Sequence, residues 1–372
     1  MHRPSPSVPQ VARLTPSQIA QFKREGFVVL PSVIDPELCR RARDQMWDTI
    51  AEHWPTMKRD DPSTWVPFPA EDWRKSATPA FKWLEGGGEP YFQGKGHKFF
   101  IRNGAEDLLI DIGARSVWNI AEQLLGKGEV VWPVGLDESN CTTGPSFLTE
   151  KEPKWVASHL GPGGMNWTGS QWSGRAQTEQ VMLPKTGPHW ITAQGTRGMY
   201  CTLPDSPPSG GPDWPGSHAG EGLYDSRMLL QTAVYFDDLP PASGGLTLWP
   251  RSHTRIWDHW EPINRNGSTT GTGEDTPRSV GYVWDGRTVP PLGDIRVDTA
   301  PVVTHGPVGS VVLWHSIMLH MAGVNTSNDV IRQATLYGFH KTPDSIPDGR
   351  VSVGPTGGIW DSWSDEVRGA PG

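Results

Sequence analysis

Residues 331–340 form an alternating segment that would direct a cationic side chain into the interior of a sheet. On one face of an extended strand they would present Arg332, Ala334, Leu336 and Gly338. A guanidinium in such a place can bind a carboxylate through two parallel hydrogen bonds, whereas its burial without an anion would be costly. Arg332 is therefore a candidate for binding a small carboxylic acid inside a pocket.

Other polar residues are weaker candidates for chemistry. The chain has 12 histidines, and a lone histidine is more often a hydrogen-bonded structural residue than a metal ligand. His253 follows a turn and is interpreted as structural, while His189 and His305 have no supporting context. Asp237 and Asp238 are adjacent, so on a strand they would face opposite ways, and a strand-end turn explains them better than a catalytic pair.

The composition indicates a globular protein that acts on a small molecule. Of the 372 residues, 35% are hydrophobic and 20% charged, and no apolar stretch approaches the length that crosses a bilayer. A net charge of -8 argues against a nucleic-acid partner, which would require clustered Lys and Arg. Residues 1–13 lack the apolar region of a secretion signal, so we expect a cytoplasmic protein without a membrane anchor. The sequence does not predict an oligomeric state.

Cysteine usage and turn residues favour β architecture without disulfides. Cys39, Cys141 and Cys201 are widely spaced, which fits neither a disulfide framework nor a zinc site, so we expect buried thiols. The 36 Pro, 43 Gly and 19 Trp residues favour turns and short strands over a helical bundle. The tryptophans of residues 133–190 could stack on a substrate or pack in the core, and the sequence leaves both interpretations open.

The first 53 residues predict a helix, a strand and a second helix. Thr15 before Pro16 is typical of an N-cap with proline in the first turn. Residues 26–31 are apolar and predict a strand. Asp35 predicts the start of a second helix, whose apolar positions recur at helical spacing up to about His53.

The middle of the chain is only partly interpretable. A helix is predicted at about 114–125, ending at Gly126, before a strand at 129–132. Residues 54–110 and 133–190 are rich in Trp, Gly and Pro and predict no definite element.

From residue 197 onward the pattern changes to short β-type runs separated by turn residues. The predicted strands are 198–203, 229–236, 245–249, 311–315 and 331–340. Loop-like insertions are expected at 205–217 and 264–298. A jelly-roll barrel is the fold that this pattern favours.

The motifs of this region resemble the phytanoyl-CoA dioxygenase family in content and order. They are residues 197–204, His218, 232–239, 243–253, 309–315, 320–325 and Arg332. Residues 22–31 and 35–43 are similar to the family's N-terminal part, so the resemblance covers roughly 15–50 and 197–342. Each motif alone is weak, and the specificity lies in their combined order.

The resemblance implies a mononuclear non-haem Fe(II) and 2-oxoglutarate dependent oxygenase on a double-stranded β-helix, a mainly β jelly-roll barrel with N-terminal helices. It implies one domain over residues 15–345 with a barrel core at about 197–342, a flexible N-terminus over 1–14 and a C-terminal tail over 346–372. The expected cofactors are Fe(II) and 2-oxoglutarate, and the expected partners are dioxygen and a small-molecule substrate.

The resemblance also implies roles for individual residues. The family's facial triad has one His and one carboxylate from a short motif plus a distal His, which here suggests His218, Glu221 and His320 as metal ligands. Arg332 would bind the far carboxylate of 2-oxoglutarate, and Gln231 and Thr202 are further candidates for the cofactor pocket. His315 is a competing distal ligand, but it lies in the preceding predicted strand.

One motif departs from the family pattern. In the sequence His218-Ala219-Gly220-Glu221, glycine occupies the expected carboxylate position and glutamate follows one residue later. Glu221 could reach the metal through a local bulge. Alternatively, Gly220 leaves a position for a halide, or iron binding is lost or uses Asp225 or water.

These alternatives imply different functions. With Glu221 as ligand the chain would hydroxylate, or otherwise oxidise, an unactivated C–H bond and release succinate and carbon dioxide. With Gly220 it would be a halogenase, and without iron it would be a non-catalytic ligand-binding barrel. No basic cluster suggests a CoA ester, and the substrate is not identified by the sequence.

Overall fold

The computed structural model describes residues 13–67, 91–95, 98–102, 106–130, 199–204, 228–255, 299–341 and 358–372. The helices are α1 (Pro16–Glu25), α2 (Pro36–His53), α3 (Glu106–Gly113), α4 (Trp118–Leu125) and α5 (Asp365–Gly369), with short 3-10 helices at Pro62–Thr64 and Arg115–Val117. The strands are β1 (Phe27–Leu30), β2 (Tyr91–Lys95), β3 (Lys98–Arg102), β4 (Met199–Thr202), β5 (Met228–Tyr235), β6 (Leu246–Leu248), β7 (Val302–Val303), β8 (Val311–His315), β9 (His320–Ala322) and β10 (Arg332–His340).

The N-terminal helices begin where the sequence predicts. The Thr15 side chain accepts from the Gln18 backbone, and the Gln18 side chain accepts from the Thr15 N–H at 2.8 Å, which forms a reciprocal capping box. Gly26 ends α1 with a φ of 86°, a left-handed conformation that favours glycine. The Asp35 side chain caps α2 by accepting from the Glu37 N–H at 2.9 Å.

The strands form two antiparallel sheets. A large sheet has the order β1-β8-β5-β10-β4-β3-β2, and a small sheet has the order β7-β6-β9. The five strands predicted after residue 197 are confirmed with small differences at their ends. The sequence did not predict β2, β3, β7 or β9.

Two predictions in the middle of the chain differ in detail from the structure. The helix expected at about 114–125 starts as the 3-10 turn Arg115–Val117 and continues as α4. Of the strand expected at 129–132, Val130 forms an isolated bridge with Lys341, and residues 131 and 132 lie outside the described ranges.

The large sheet has two buried faces, because side chains alternate along each strand. The outer face packs on the helices and includes Leu230, Val234, Leu313 and Phe339. The inner face packs on the small sheet in a separate apolar cluster that includes Ala233, Tyr235, Val312, Trp314 and Ala334 of the large sheet with Leu246 and Leu248 of β6. The space between the two sheets is therefore the place where polar side chains would be shielded from water.

Two cysteines and the C-terminal segment belong to the outer core. Cys39 and Cys201 are buried free thiols, as predicted, and burial raises the pKa of Cys39 to about 12. Cys141 lies outside the described residues. Residues 358–372 contribute Trp363 and Val367 to the outer core. Within the described ranges, no helix is both long and apolar enough to span a bilayer.

Candidate active site

His320 lies between the two sheets. It is 2% exposed, and its partner in the β6–β9 ladder is Leu248. The centre of its ring is 5.5 Å from that of Trp314, with an angle of 56° between the ring planes. Because Leu248 and Trp314 both belong to the inner cluster, the imidazole is placed inside the space that the sheets enclose.

The hydrogen bond of His320 determines its tautomer. Nδ1 lies 2.8 Å from the carbonyl oxygen of Met318. A carbonyl can only accept, so Nδ1 carries the proton and Nε2 carries the lone pair that a metal ion requires. Metal-binding histidines commonly donate their second nitrogen to a carbonyl or carboxylate in this way. His320 is therefore oriented as a metal ligand.

Arg332 begins β10 and is buried, with 7% of its surface exposed. Ala334 and Leu336, on the same face of the strand, pack in the inner cluster, so the predicted alternation is confirmed. Burial raises the pKa of the Tyr235 phenol, and the nearby Arg332 charge opposes part of that rise. A carboxylate entering between the sheets would therefore meet the positive charge of Arg332.

A tight glycine turn, which the sequence patterns did not predict, lies close to Arg332. Gly244 has a φ of 85°, and a Cβ added there would lie 3.3 Å from the Arg332 Cβ and 3.1 Å from the Asn325 Cβ. Asn325 donates from Nδ2 to the Val330 carbonyl at 2.7 Å and so fixes the loop that leads into β10. The adjacent glycines Gly244 and Gly245 are the sequence feature from which this turn could have been predicted.

Gln231 and Thr202 lie in the two strands that flank β10. Gln231 is 9% exposed, pairs with Gly338 of β10 and with Trp314 of β8, and alternates onto the inner face with Ala233. Thr202 occupies the register position directly opposite Arg332. The structure thus brings both predicted pocket residues to the strand that carries Arg332.

The remaining predicted ligands fall on residues that the structure does not describe. His218, Gly220, Glu221 and Asp225 all lie outside the described ranges, so their roles stay predictions. In the ranges that are described, no three His, Cys, Asp or Glu side chains are grouped as a metal site. His320 is the one member of the predicted triad that falls within them.

His315, the competing ligand, belongs to the outer face. Its Nδ1 accepts the Ile317 N–H at 3.3 Å, so its proton is on Nε2. Its ring lies 5.0 Å from Trp363 and 5.5 Å from His253, measured between centroids. Burial holds its pKa well below the usual value. His315 is a structural histidine on the opposite side of the sheet from His320.

The other polar candidates are also structural, as predicted. His253 Nε2 lies 3.2 Å from the Lys23 carbonyl, and burial lowers its pKa to about 4. Asp237 pairs with Arg43 at 2.6 Å. Asp238 accepts the Val308 N–H at 2.8 Å, and the chain bends at residues 236–237 directly after β5, as the sequence predicts.

A buried hydrogen-bond triangle connects the two sheets, and no sequence pattern predicts it. The Tyr235 hydroxyl lies 2.6 Å from Thr304 Oγ1, and Thr304 Oγ1 donates to the Leu246 carbonyl at 2.9 Å. The Leu246 N–H donates to the Tyr235 oxygen at 2.8 Å. Because the Thr304 proton is used on Leu246, the Tyr235 hydroxyl donates to Thr304.

The described part of the site fits Fe(II) and 2-oxoglutarate. The donor set contains an imidazole whose Nε2 lone pair is directed by the Met318 carbonyl, which suits iron. Arg332 supplies a buried guanidinium suited to a carboxylate. The surrounding walls are apolar, so both groups would act where water is largely excluded.

Comparison with known proteins gives one family match and several distant structural likenesses. Residues 194–334 match the family described as phytanoyl-CoA dioxygenase. No curated protein sequence matches this chain.

Three solved structures show a distant likeness to this chain. EctD from S. alaskensis with bound Fe is 12% identical over 90% of this chain and 82% of its own, with a TM-score of 0.42. The alpha-ketoglutarate-dependent carbocyclase SnoK from nogalamycin biosynthesis is 14% identical over 95% and 98%, with a TM-score of 0.37. The epimerase SnoN in complex with Fe3+, alpha ketoglutarate and nogalamycin RO is 12% identical over 93% and 96%, with a TM-score of 0.35. At sequence identities and TM-scores this low, these structures indicate neither the reaction nor the substrate of this chain.

The family match spans both His320 and Arg332, and it agrees with the fit of the described residues to iron and 2-oxoglutarate. Residues 194–334 of this chain are therefore similar to the phytanoyl-CoA dioxygenase family, in the region that contains the candidate site.

Proposed function

We propose that the chain is a dioxygenase that uses Fe(II) and 2-oxoglutarate to hydroxylate, or otherwise oxidise, an unactivated C–H bond of a small molecule in the cytoplasm. The proposal includes a double-stranded β-helix, supported by two antiparallel sheets around one apolar core. The reaction would release succinate and carbon dioxide.

The observation that carries the proposal is the shared direction of His320 and Arg332. They come from different sheets, yet both belong to the inner side of the fold. A ligand for a metal and a cation for a carboxylate are the two fixed points that 2-oxoglutarate needs, because it binds metal at one end and carries a second carboxylate at the other.

Each residue has a defined role in the proposed reaction. His320 binds the metal through Nε2, and His218 and Glu221 complete the facial triad. Arg332 orients 2-oxoglutarate by its far carboxylate, with Gln231 and Thr202 beside it. When bound, Fe(II) with 2-oxoglutarate and dioxygen supplies the oxidising power for a C–H bond.

The direct test is Fe(II)-dependent release of succinate and carbon dioxide from 2-oxoglutarate, measured with and without chelator. The wild-type chain should turn over 2-oxoglutarate slowly even without its substrate, and His320→Ala should not. His305→Ala is the matched control, since His305 is exposed and outside the inner face. If the wild-type chain neither binds Fe(II) nor releases succinate, it is a ligand-binding barrel and the proposal is wrong.

A second candidate function follows from the glycine at position 220. If Gly220 leaves a metal position to a halide, the product would carry a halogen and Glu221→Ala would be tolerated. If Glu221 is the ligand, Glu221→Ala should lose iron affinity and added chloride or bromide should leave the product unchanged. Mass spectrometry of products formed with chloride and with bromide separates the two functions. We favour Glu221, because one inserted residue can redirect a side chain through a bulge.

A further inference from the structure

The backbone just before His320 is fixed from outside its own strand. The Leu319 N–H donates to Ser252 Oγ at 2.9 Å, and the Leu319 carbonyl accepts from the Trp249 N–H at 3.1 Å. Ser252 and Leu319 are both 0% exposed. Leu319 directly precedes β9, so its N–H lies just outside the β6–β9 ladder. The Ser252 hydroxyl accepts this N–H in place of a strand carbonyl.

The turn that presents Ser252 is held in an unusual conformation. Arg251 has a φ of 64°, a left-handed value that costs on the order of 1 kcal/mol for a residue other than glycine. Its N–H donates to the Glu25 carbonyl at 2.9 Å, and the Ser252 N–H donates to the Trp249 carbonyl at 3.1 Å. Contacts with α1 thus maintain a strained turn that places the Ser252 hydroxyl at Leu319.

One peptide unit connects Ser252 to the imidazole. The Leu319 N–H and the Met318 carbonyl belong to the same planar peptide group, so fixing the direction of one fixes the direction of the other. Ser252 holds the N–H end, and the carbonyl end accepts from His320 Nδ1 at 2.8 Å. Rotation of this peptide would move the acceptor that orients the imidazole.

We propose that Ser252 is a positioning residue for His320, acting through the Met318–Leu319 peptide plane. The inference rests on the proposed function, in which His320 binds iron. Removing the hydroxyl leaves a buried N–H without an acceptor, which favours rotation of the peptide toward another partner. The His320 ring then loses its fixed orientation. Loss of such an outer contact typically lowers metal affinity by about 10- to 100-fold.

Ser252→Ala and Ser310→Ala form a matched pair for the test. Ser310 is also 0% exposed and donates to the Pro307 carbonyl at 2.6 Å, but it precedes the start of β8, whereas residues 318–320 follow the end of that strand. Both variants should lose similar thermal stability. Anaerobic Fe(II) titration should show about 10- to 100-fold weaker binding for Ser252→Ala and unchanged binding for Ser310→Ala. In the metal-free protein, the Leu319 amide should exchange with solvent faster in Ser252→Ala alone.

A second variant covers the case in which Ser252→Ala does not fold. Ser252→Cys keeps the approximate shape but offers sulfur, a weak acceptor, so metal affinity should fall in the same direction. Wild-type affinity in a folded Ser252 variant, or an unchanged Leu319 exchange rate, would overturn the positioning role while leaving the proposed function intact. If the wild-type chain itself binds no Fe(II), the proposed function fails and the positioning role fails with it.

Discussion

Two buried histidines five positions apart, one on each side of the large sheet, have opposite hydrogen-bond patterns. His320 on the inner side donates from Nδ1 to the Met318 carbonyl, so its Nε2 lone pair can bind a metal. His315 on the outer side accepts at Nδ1 from the Ile317 N–H, so its Nε2 is protonated. Both rings are 2% exposed.

Burial and residue type alone therefore do not identify a metal ligand. Each ring is fixed by a backbone group two residues away, yet one partner is a carbonyl and the other an N–H. The outer ring is surrounded by Trp360, Trp363 and His253, whereas the inner ring shares its space with the strand face that carries Arg332. The direction of one hydrogen bond and the composition of the neighbourhood separate a structural histidine from a candidate ligand.

The largest expected effect comes from making the same substitution at both histidines. His320→Asn should lower Fe(II)-dependent 2-oxoglutarate turnover by more than about 100-fold, because even outer contacts of a metal ligand contribute 10- to 100-fold. His315→Asn should keep turnover within a few-fold, since the asparagine oxygen can still accept the Ile317 N–H. Succinate release measures both. Equal loss of turnover in the two folded variants would show that His320 and His315 do not differ in function.

A second effect concerns the cation of the inner face. Arg332→Ala should raise the 2-oxoglutarate concentration needed for half-maximal turnover by on the order of 100-fold, because a desolvated charge-assisted pair contributes a few kcal/mol. Arg332→Lys should recover only part of this, since lysine lacks the planar fork. Arg40→Ala, on the exposed surface of α2, is the control. An unchanged 2-oxoglutarate requirement in Arg332→Ala would remove the residue from the site.

A third prediction tests the outer face through pH. His253 has its pKa lowered from 6.5 to about 4 by burial, and His315 is shifted in the same direction. Between these values the unfolded chain binds more protons than the folded one, so stability is complete above pH 6.5 and falls as the pH drops toward 4. His253 alone would contribute up to about 3 kcal/mol to this loss.

Urea unfolding of the metal-free protein at several pH values measures this slope. In His253→Gln, the glutamine amide can still donate to the Lys23 carbonyl. The free energy of unfolding of this variant should depend less steeply on pH, and the pH dependence that remains should come from His315. A wild-type free energy of unfolding that stays constant from pH 6.5 to 4.5 would show that the outer histidines are not buried as neutral rings.

The smallest expected effect tests whether Tyr235 stabilises the inner face without taking part in the binding of Fe(II) or 2-oxoglutarate. Tyr235→Phe removes the acceptor of the Leu246 N–H and the donor to Thr304, which should cost about 1–3 kcal/mol of stability. Fe(II) affinity and the 2-oxoglutarate requirement should stay at wild-type values. Chemical denaturation and metal titration check the two halves of the prediction, and a raised 2-oxoglutarate requirement would place Tyr235 in the cofactor site.

The elements predicted correctly are those whose signals are local. The capping residues Thr15 and Asp35 determine helix starts through bonds within three residues, and the alternation around Arg332 needs only one strand. By contrast, β9 has only three residues and exists through its ladder with β6, which no local pattern reveals. The tautomer of His320 likewise depends on backbone geometry that side-chain types do not encode.

The position of β1 in the large sheet has a consequence for how the protein is made. Among the described strands, β1 lies at one edge of the large sheet and has β8 as its one partner, from Phe27 opposite Trp314 to Leu30 opposite Val311. During synthesis, the apolar residues of β1 are made about 280 residues before their partner strand β8. Pairing between such distant segments is slow and leaves apolar surface exposed in the meantime. His320 and Arg332 emerge just after β8. Under the proposed function, iron can be bound only after β8 and β9 have been synthesised, so metal insertion would follow the period in which β1 is unpaired and prone to aggregation.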